Sequence, residues 1–172
     1  MSRHSVSTVQ RILKGGDEMM FRKVVIAVVL CLFVTASVSA QQRGTPAEAK
    51  KMVEDAIAYI KASGKDKAFA EISNPKGKFV DRDLYVYVCD MNGTSLARGD
   101  DPSSVGKNNI NSKDPDGKFF IKERIEMAKA QGSGWQDYKF RDPISKKVMP
   151  KTFYFEKYED FIVGCGAYEP EK

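Results

Sequence analysis

Between Gly132 and Tyr168, three segments rich in aromatic and β-branched residues, GSGWQDYKF, VMPKTFYFEKY and FIVGCGAY, are separated by RDPISKK and by Glu159-Asp160. Such residues suit a pleated, half-buried surface and such breaks suit turns, so the stretch predicts a three-stranded antiparallel meander. Successive side chains of a strand point to opposite faces, and both faces of a sheet this apolar need cover. The earlier elements are expected to supply it. One face is expected under a long helix, the other around a small-molecule pocket with Trp135, Tyr138, Lys151 and Tyr154 near its wall.

Thr45-Pro46-Ala47-Glu48 has the form of a capping box with proline at the first helical position. Met52, Val53, Ala56, Ile57 and Ile60 follow at helical spacing and Gly64 closes the element, which predicts the long amphipathic helix. A second, short helix is expected from Lys67 to about Ser73, capped by Asp66 and stopped at Asn74-Pro75. Leu84 to Cys89 reads as a strand, turned back by Met91-Asn92-Gly93-Thr94 into a shorter one, Ser95 to Arg98. Asp90-Met91-Asn92-Gly93 opens like a calcium loop, but position 101 is aspartate where such a loop needs glutamate, so a plain hairpin is the better reading. Residues 99–117 form a polar, turn-rich loop of the length that often serves as a lid. Lys118 to Gln131 reads as a helix with Ile121, Ile125 and Ala128 on one face and Phe120, Arg124 and Met127 beside them. Together these elements predict an α+β domain built on an antiparallel sheet of about five strands.

At the N-terminus, Phe21-Arg22-Lys23 precedes the apolar run Val24 to Val34 and the small residues up to Ala40. This is the pattern of a secretory signal peptide over 19–40, cleaved after Ala40, and the run is shorter than the ~20 residues that span a bilayer. No stable membrane anchor is therefore expected after cleavage, and the location is read as periplasmic. Residues 1–18 lack this character. Lys14-Gly15-Gly16 is what translation through a purine-rich ribosome-binding site gives, so 1–18 reads as an artefactual upstream extension, with the start at Met19 or Met20. Residues 41–172 then form a single domain, and 132 residues at ordinary globular composition suffice for a core.

The first 40 residues carry 5 of the 28 Lys and Arg and 2 of the 23 Asp and Glu, leaving 23 cations against 21 anions. Interspersed charges at that balance are no nucleic-acid footprint. The single histidine, His4, lies in the leader, so the body has no histidine for a triad or a metal site. Outside the leader only Cys89 and Cys165 remain, too few for a four-thiolate zinc site. Neither metal nor cofactor is expected.

LYVYVCDMNGTSLARGDDPSSVGKN, DPDGKFFIKE, GWQDYKF, PKTFYF and DFIVGCGAY, taken in order, closely resemble the single Cache domain family, over roughly Ala47 to Tyr168. The resemblance implies a PAS-like sheet and an extracellular sensor that binds a short carboxylate such as acetate, propionate, pyruvate or lactate. It implies a stand-alone exported sensor module that acts with a membrane receptor or transporter. The chain departs from the family's pattern at Arg98, near which histidine is common, at Phe140, where tryptophan is common, and at Ser145-Lys146-Lys147, where a Thr-Gly turn is common.

Lys151, on the same face as Phe153 and Phe155 by period-two counting, is costly to bury unless its ammonium meets an anion, and a ligand carboxylate would satisfy it. Arg98 offers a bidentate fork for a carboxylate, or is a solvated hairpin end. Trp135, Tyr138 and Tyr154 are candidate walls, yet parity sends Trp135 and Tyr138 to opposite faces, and Lys151 and Tyr154 likewise. Phe119 and Phe120 are expected to pack in the core, and Gly164 and Gly166 to admit either a ligand or a helix. Neighbouring first and last strands in a PAS-like sheet leave two states for Cys89 and Cys165 in an oxidising compartment: a disulfide, or two buried thiols. Catalysis by Lys151 with Asp137 or Glu156, or by either thiol, is the less favoured class, and the chain is read as a non-enzyme. A structural or inhibitory partner of another exported protein, without a small ligand, is the alternative.

Overall fold

A computed structural model describes residues 43–169. The leader and the upstream residues, with the expectations placed on them, lie outside the described residues. Helix α1 (Pro46–Ser63) starts on the expected capping box: Thr45 Oγ accepts from Glu48 N, and Glu48 Oε2 accepts from Thr45 N at 2.7 Å. Ala49, Val53, Ala56, Ile57 and Ile60 form its buried stripe, and the helix ends at Gly64, whose φ of 79° suits a residue without a Cβ. Helix α2 (Lys65–Ile72) begins directly at Gly64 with no side-chain cap. Asp66 is therefore inside the first turn, where its charge suits the helix dipole, and does not cap it.

The strands are β1 (Val80–Asp81), β2 (Leu84–Asp90), β3 (Ser95–Arg98), β4 (Ser133–Arg141), β5 (Val148–Tyr158) and β6 (Phe161–Tyr168), and helix α3 (Phe120–Gln131) precedes β4. They form an antiparallel sheet of order β1-β2-β6-β5-β4, with β3 paired to β2. The architecture is the expected α+β one, and the sheet exceeds the expected five strands by the two-residue β1. The expected start of α3 at Lys118 moves to Phe120, because the Lys118 carbonyl accepts from Asp114 N and Asp114 Oδ1 accepts from Lys118 N, which holds that residue in a turn.

The two faces of the sheet divide by parity. Leu84, Val86 and Val88 of β2, Tyr154 of β5 and Phe161, Val163, Cys165 and Ala167 of β6 pack with α1 and α2. The alternate residues, Tyr87, Cys89, Tyr138, Phe153, Phe155 and Ile162, pack with α3. Central β6 is buried on both faces along its whole length, which is why it reads as an almost unbroken apolar run.

The segment ahead of α1 is tied to this frame by Arg43. Its guanidinium meets Asp83 Oδ2 at 3.3 Å and Asp142 Oδ2 at 3.0 Å, both carboxylates being fully buried. Asp142 also accepts from the backbone of Ile144 and Ser145, which shapes the β4–β5 turn. The 99–117 loop is pinned rather than free: Gly106 N donates to Ser95 O at 2.8 Å and Asn109 N to Gly93 O at 2.8 Å. At the hairpin, Asp90 Oδ1 accepts from the backbone of Asn92 and Thr94, so the calcium-like sequence serves as a turn.

Candidate functional site

The α3 face of the sheet does not close completely. A cavity of about 260 Å³ is walled by Tyr85, Tyr87 and Arg98 from the β2–β3 hairpin, Tyr138 and Phe140 from β4, and Phe153 from β5. Helix α3 contributes Phe120, Ile121 and Arg124, and the 99–117 loop contributes Asn109, Ser112 and Lys113. Strand parity brings these rings to one side, and Phe120 stacks on Tyr138 with centroids 4.7 Å apart.

Of the expected site residues, the fold brings Arg98, Tyr138 and Lys151 to this side. It carries Trp135 and Tyr154 away from it. Trp135 pairs with Tyr154 across the strands and Tyr138 pairs with Lys151. The two pairs are offset by three residues, an odd number, so they face opposite ways. Trp135 and Tyr154 lie together on the α1 face, rings 4.9 Å apart, with Lys50 Nζ 5.4 Å from the Tyr154 ring. The same offset separates the cysteines: Cys89 opposes Ile162 and Cys165 opposes Val86. One thiol faces α3 and the other faces α1, so both are free and buried, and no bridge joins them. Burial pushes the Cys89 thiol up to about 11 and the Cys165 thiol up to about 12.

Lys151 is 1% exposed. Its ammonium donates to Tyr85 Oη at 2.9 Å and Tyr168 Oη at 3.2 Å and lies 4.0 Å from the Tyr85 ring centroid. The Tyr168 hydroxyl in turn donates to the Arg141 carbonyl at 2.9 Å. Each hydroxyl has one proton. With that of Tyr168 used, the Tyr85 proton is left for the cavity or for a long 3.4 Å contact with Tyr168. No carboxylate touches Lys151 among the described residues: Asp137 accepts from Thr152 Oγ1 and Glu156 from Tyr154 Oη. Burial brings the amine down to about 7. Gly164 and Gly166 of β6 make this possible, since a Cβ on Gly166 would stand 2.6 Å from Lys151 Cε and one on Gly164 would overlap the Phe153 ring. The small residues thus admit side chains of β5, rather than a ligand or a helix.

Arg98 is half of a closed pair. Asp100 takes its Nε at 2.7 Å and its Nη2 at 2.9 Å, a fork that leaves little for another anion. Burial opposes the charge on Arg98, and this carboxylate more than offsets that effect. Phe120 is core and cavity wall at once, whereas Phe119 is 39% exposed under Lys113.

The residue that sequence reasoning passed over is Arg124, 1% exposed. Its guanidinium lies 3.8 Å from the Phe153 ring centroid, and Nε donates to Gln136 Oε1 at 3.1 Å. Gln136 is fixed by donating to the Phe120 carbonyl and to Glu123 Oε2. Arg124 Nη2 and the Tyr87 hydroxyl are buried and have no hydrogen-bond partner among the described residues. A signal existed: Arg124 stands three and four residues from Ile121, Phe120 and Ala128 on an apolar helix face.

Comparisons with known proteins agree with this architecture. A family model described as Single Cache domain 2 matches residues 13–171. A sensor histidine kinase, MctS of Rhizobium johnstonii, is 30% identical over 89 residues, 51% of this chain but only 19% of the kinase. Among solved structures, a methyl-accepting chemotaxis protein of Vibrio parahaemolyticus superposes with a TM-score of 0.62 at 26% identity, over 70% of this chain and 86% of that one. A Cache chemosensory domain solved for its recognition of carboxylic acid superposes with a TM-score of 0.58, over 70% of this chain and 86% of that one, and at 21% identity is similar in fold.

Proposed function

This chain belongs to the single Cache domain 2 family, and from that premise we propose that it is an extracytoplasmic sensor for a short carboxylate of the acetate, propionate, pyruvate or lactate kind. Capture is non-covalent, in the cavity between the sheet, α3 and the 99–117 loop. The observation that carries this reading is the Lys151–Tyr85 pair, a buried amine with no carboxylate against it among the described residues, whose hydroxyl partner stands on the cavity wall. A carboxylate accepting from Tyr85 would gain the ammonium's field through one hydroxyl, in surroundings where water screens little. The aromatic wall of Tyr87, Tyr138, Phe140 and Phe153 suits the short carbon chain behind it. Export through the 19–40 leader and relay to a membrane receptor or transporter complete the proposal.

A thermal-shift screen of C2 to C4 acids tests it, since a ligand at 100 times its Kd adds about 2.7 kcal/mol of stability. At least one acid is expected to raise the Tm of the mature chain and to lose that effect in Lys151→Met. An unmoved Tm with every acid ends this reading.

A further inference from the structure

Resting on that reading, we propose that the preferred ligand is a short dicarboxylate, its second carboxylate held by Arg124. The charges around the cavity are unevenly matched. Arg98 is neutralised by its bidentate partner Asp100, so the hairpin side of the cavity has no spare charge. Lys151 stands behind Tyr85 with hydroxyls for partners. Arg124 stands on the α3 side with a neutral amide for a partner, and the neighbouring Glu123 carboxylate is turned to Lys118 Nζ at 3.1 Å and to the Gln136 amide. Lys113, also on the cavity's rim, adds another positive charge. Among the described residues, the buried interior therefore holds two cationic groups without a carboxylate in contact, an arrangement that is costly until anions meet them.

Arg124 is also the better placed of the two to meet a ligand directly. It lines the cavity, it is almost wholly buried, and Nη2 lacks a partner among the described residues while Nε is locked by Gln136. The fixed Nε sets the plane of the fork, so an incoming carboxylate meets a preorganised donor. The buried Tyr87 hydroxyl lines the same cavity and offers a further donor. The spacing limits the ligand. Lys151 Nζ and Arg124 Cζ lie 5.7 Å and 3.8 Å from the centroid of one ring, Phe153, so they can be no farther apart than those two lengths end to end. That distance and the small cavity suit three or four carbons, with the carbon chain lying against Phe153. A monocarboxylate would satisfy the Lys151–Tyr85 end and leave Arg124 as it is.

Isothermal titration calorimetry of the mature chain with acids matched in carbon count, succinate against butyrate and malonate against propionate, separates the cases. The expected result is a dicarboxylate Kd at least about tenfold below that of its monocarboxylate, the worth of a charge-assisted hydrogen bond. Arg124→Met is expected to erase that margin while monocarboxylate affinity stays within about threefold, and Arg124→Lys to keep part of it. Monocarboxylates binding as tightly as their dicarboxylate partners, or the margin surviving in Arg124→Met, overturns this proposal and leaves the carboxylate-sensor reading standing. If neither kind binds, both readings fall. Should Arg124→Met fail to fold, the wild-type comparison and Arg124→Lys still decide.

Discussion

Lys151 shows how one residue's surroundings set a measurable property of the whole chain. Its amine, lowered to about 7 by burial, releases its proton near neutrality in the folded state, while the unfolded chain holds it to about 10.5. Between those values the unfolded state binds more protons, so the ligand-free fold gains stability as pH rises, by up to about 1.4 kcal/mol per pH unit. Denaturant titrations at pH 7 and pH 9 are expected to show this gain in the wild type and to lose it in Lys151→Met. Parallel pH slopes for the two proteins would mean that the ammonium is not held as the tyrosine contacts indicate. A bound carboxylate favours the charged amine, so ligand addition is expected to flatten the wild-type slope as well.

At the scale of elements, the sheet is held to its flanking segments by a few buried charges. Arg43, just ahead of α1, joins the turn before β2 to the turn after β4 through Asp83 and Asp142. Burial raises the Asp142 pKa, but the Arg43 bond and the hydrogen bonds from the Ser145 and Ile144 backbone outweigh it and leave the carboxyl below its ordinary range. Arg43→Ala strands two buried carboxylates and is expected to cost about 3 kcal/mol at pH 7, read by urea unfolding. A depressed carboxyl contributes stability above its unfolded pKa and loses it as pH falls through the folded one. The gap between wild type and variant should therefore shrink below about pH 4. A gap under about 0.5 kcal/mol at pH 7 would show a pair no better than a surface salt bridge.

For the whole molecule, one mass measurement addresses both export and the state of the thiols. We expect protein recovered from the periplasm to begin at Gln41 and, unreduced, to take up two alkyl groups only after unfolding. The sheet places Cys89 and Cys165 on opposite faces, so even an oxidising compartment cannot join them without breaking the β2–β6 register. A two-dalton deficit without alkylation would refute the register, and retention of residues 19–40 would refute cleavage at Ala40. The same division of faces gives the molecule its layout: α1 and α2 seal one side with aliphatic residues, while the other side, lined with tyrosine and phenylalanine and holding buried Arg124 and Lys151, stays partly open.

Properties carried by near neighbours were legible in the chain itself. The capping box at Thr45, the strand from Ser95 to Arg98 and the three-stranded meander each depend on residues a few positions apart, and the period of two already sent Trp135 and Tyr138 to different faces. Counting could not say which of those faces carried the cavity. That was decided by α1 covering the side of Tyr154 and α3 standing off from the side of Tyr138. Charge pairing was less legible still, because the partners of a buried ion come from distant segments. Lys151 meets Tyr85 across 66 positions and Arg124 meets Gln136 across a helix end and a strand, contacts that no local spacing encodes. Only the folded chain could show that Arg98, with the more obvious fork, is already matched by Asp100, while Arg124 has a buried nitrogen without a hydrogen-bond partner among the described residues.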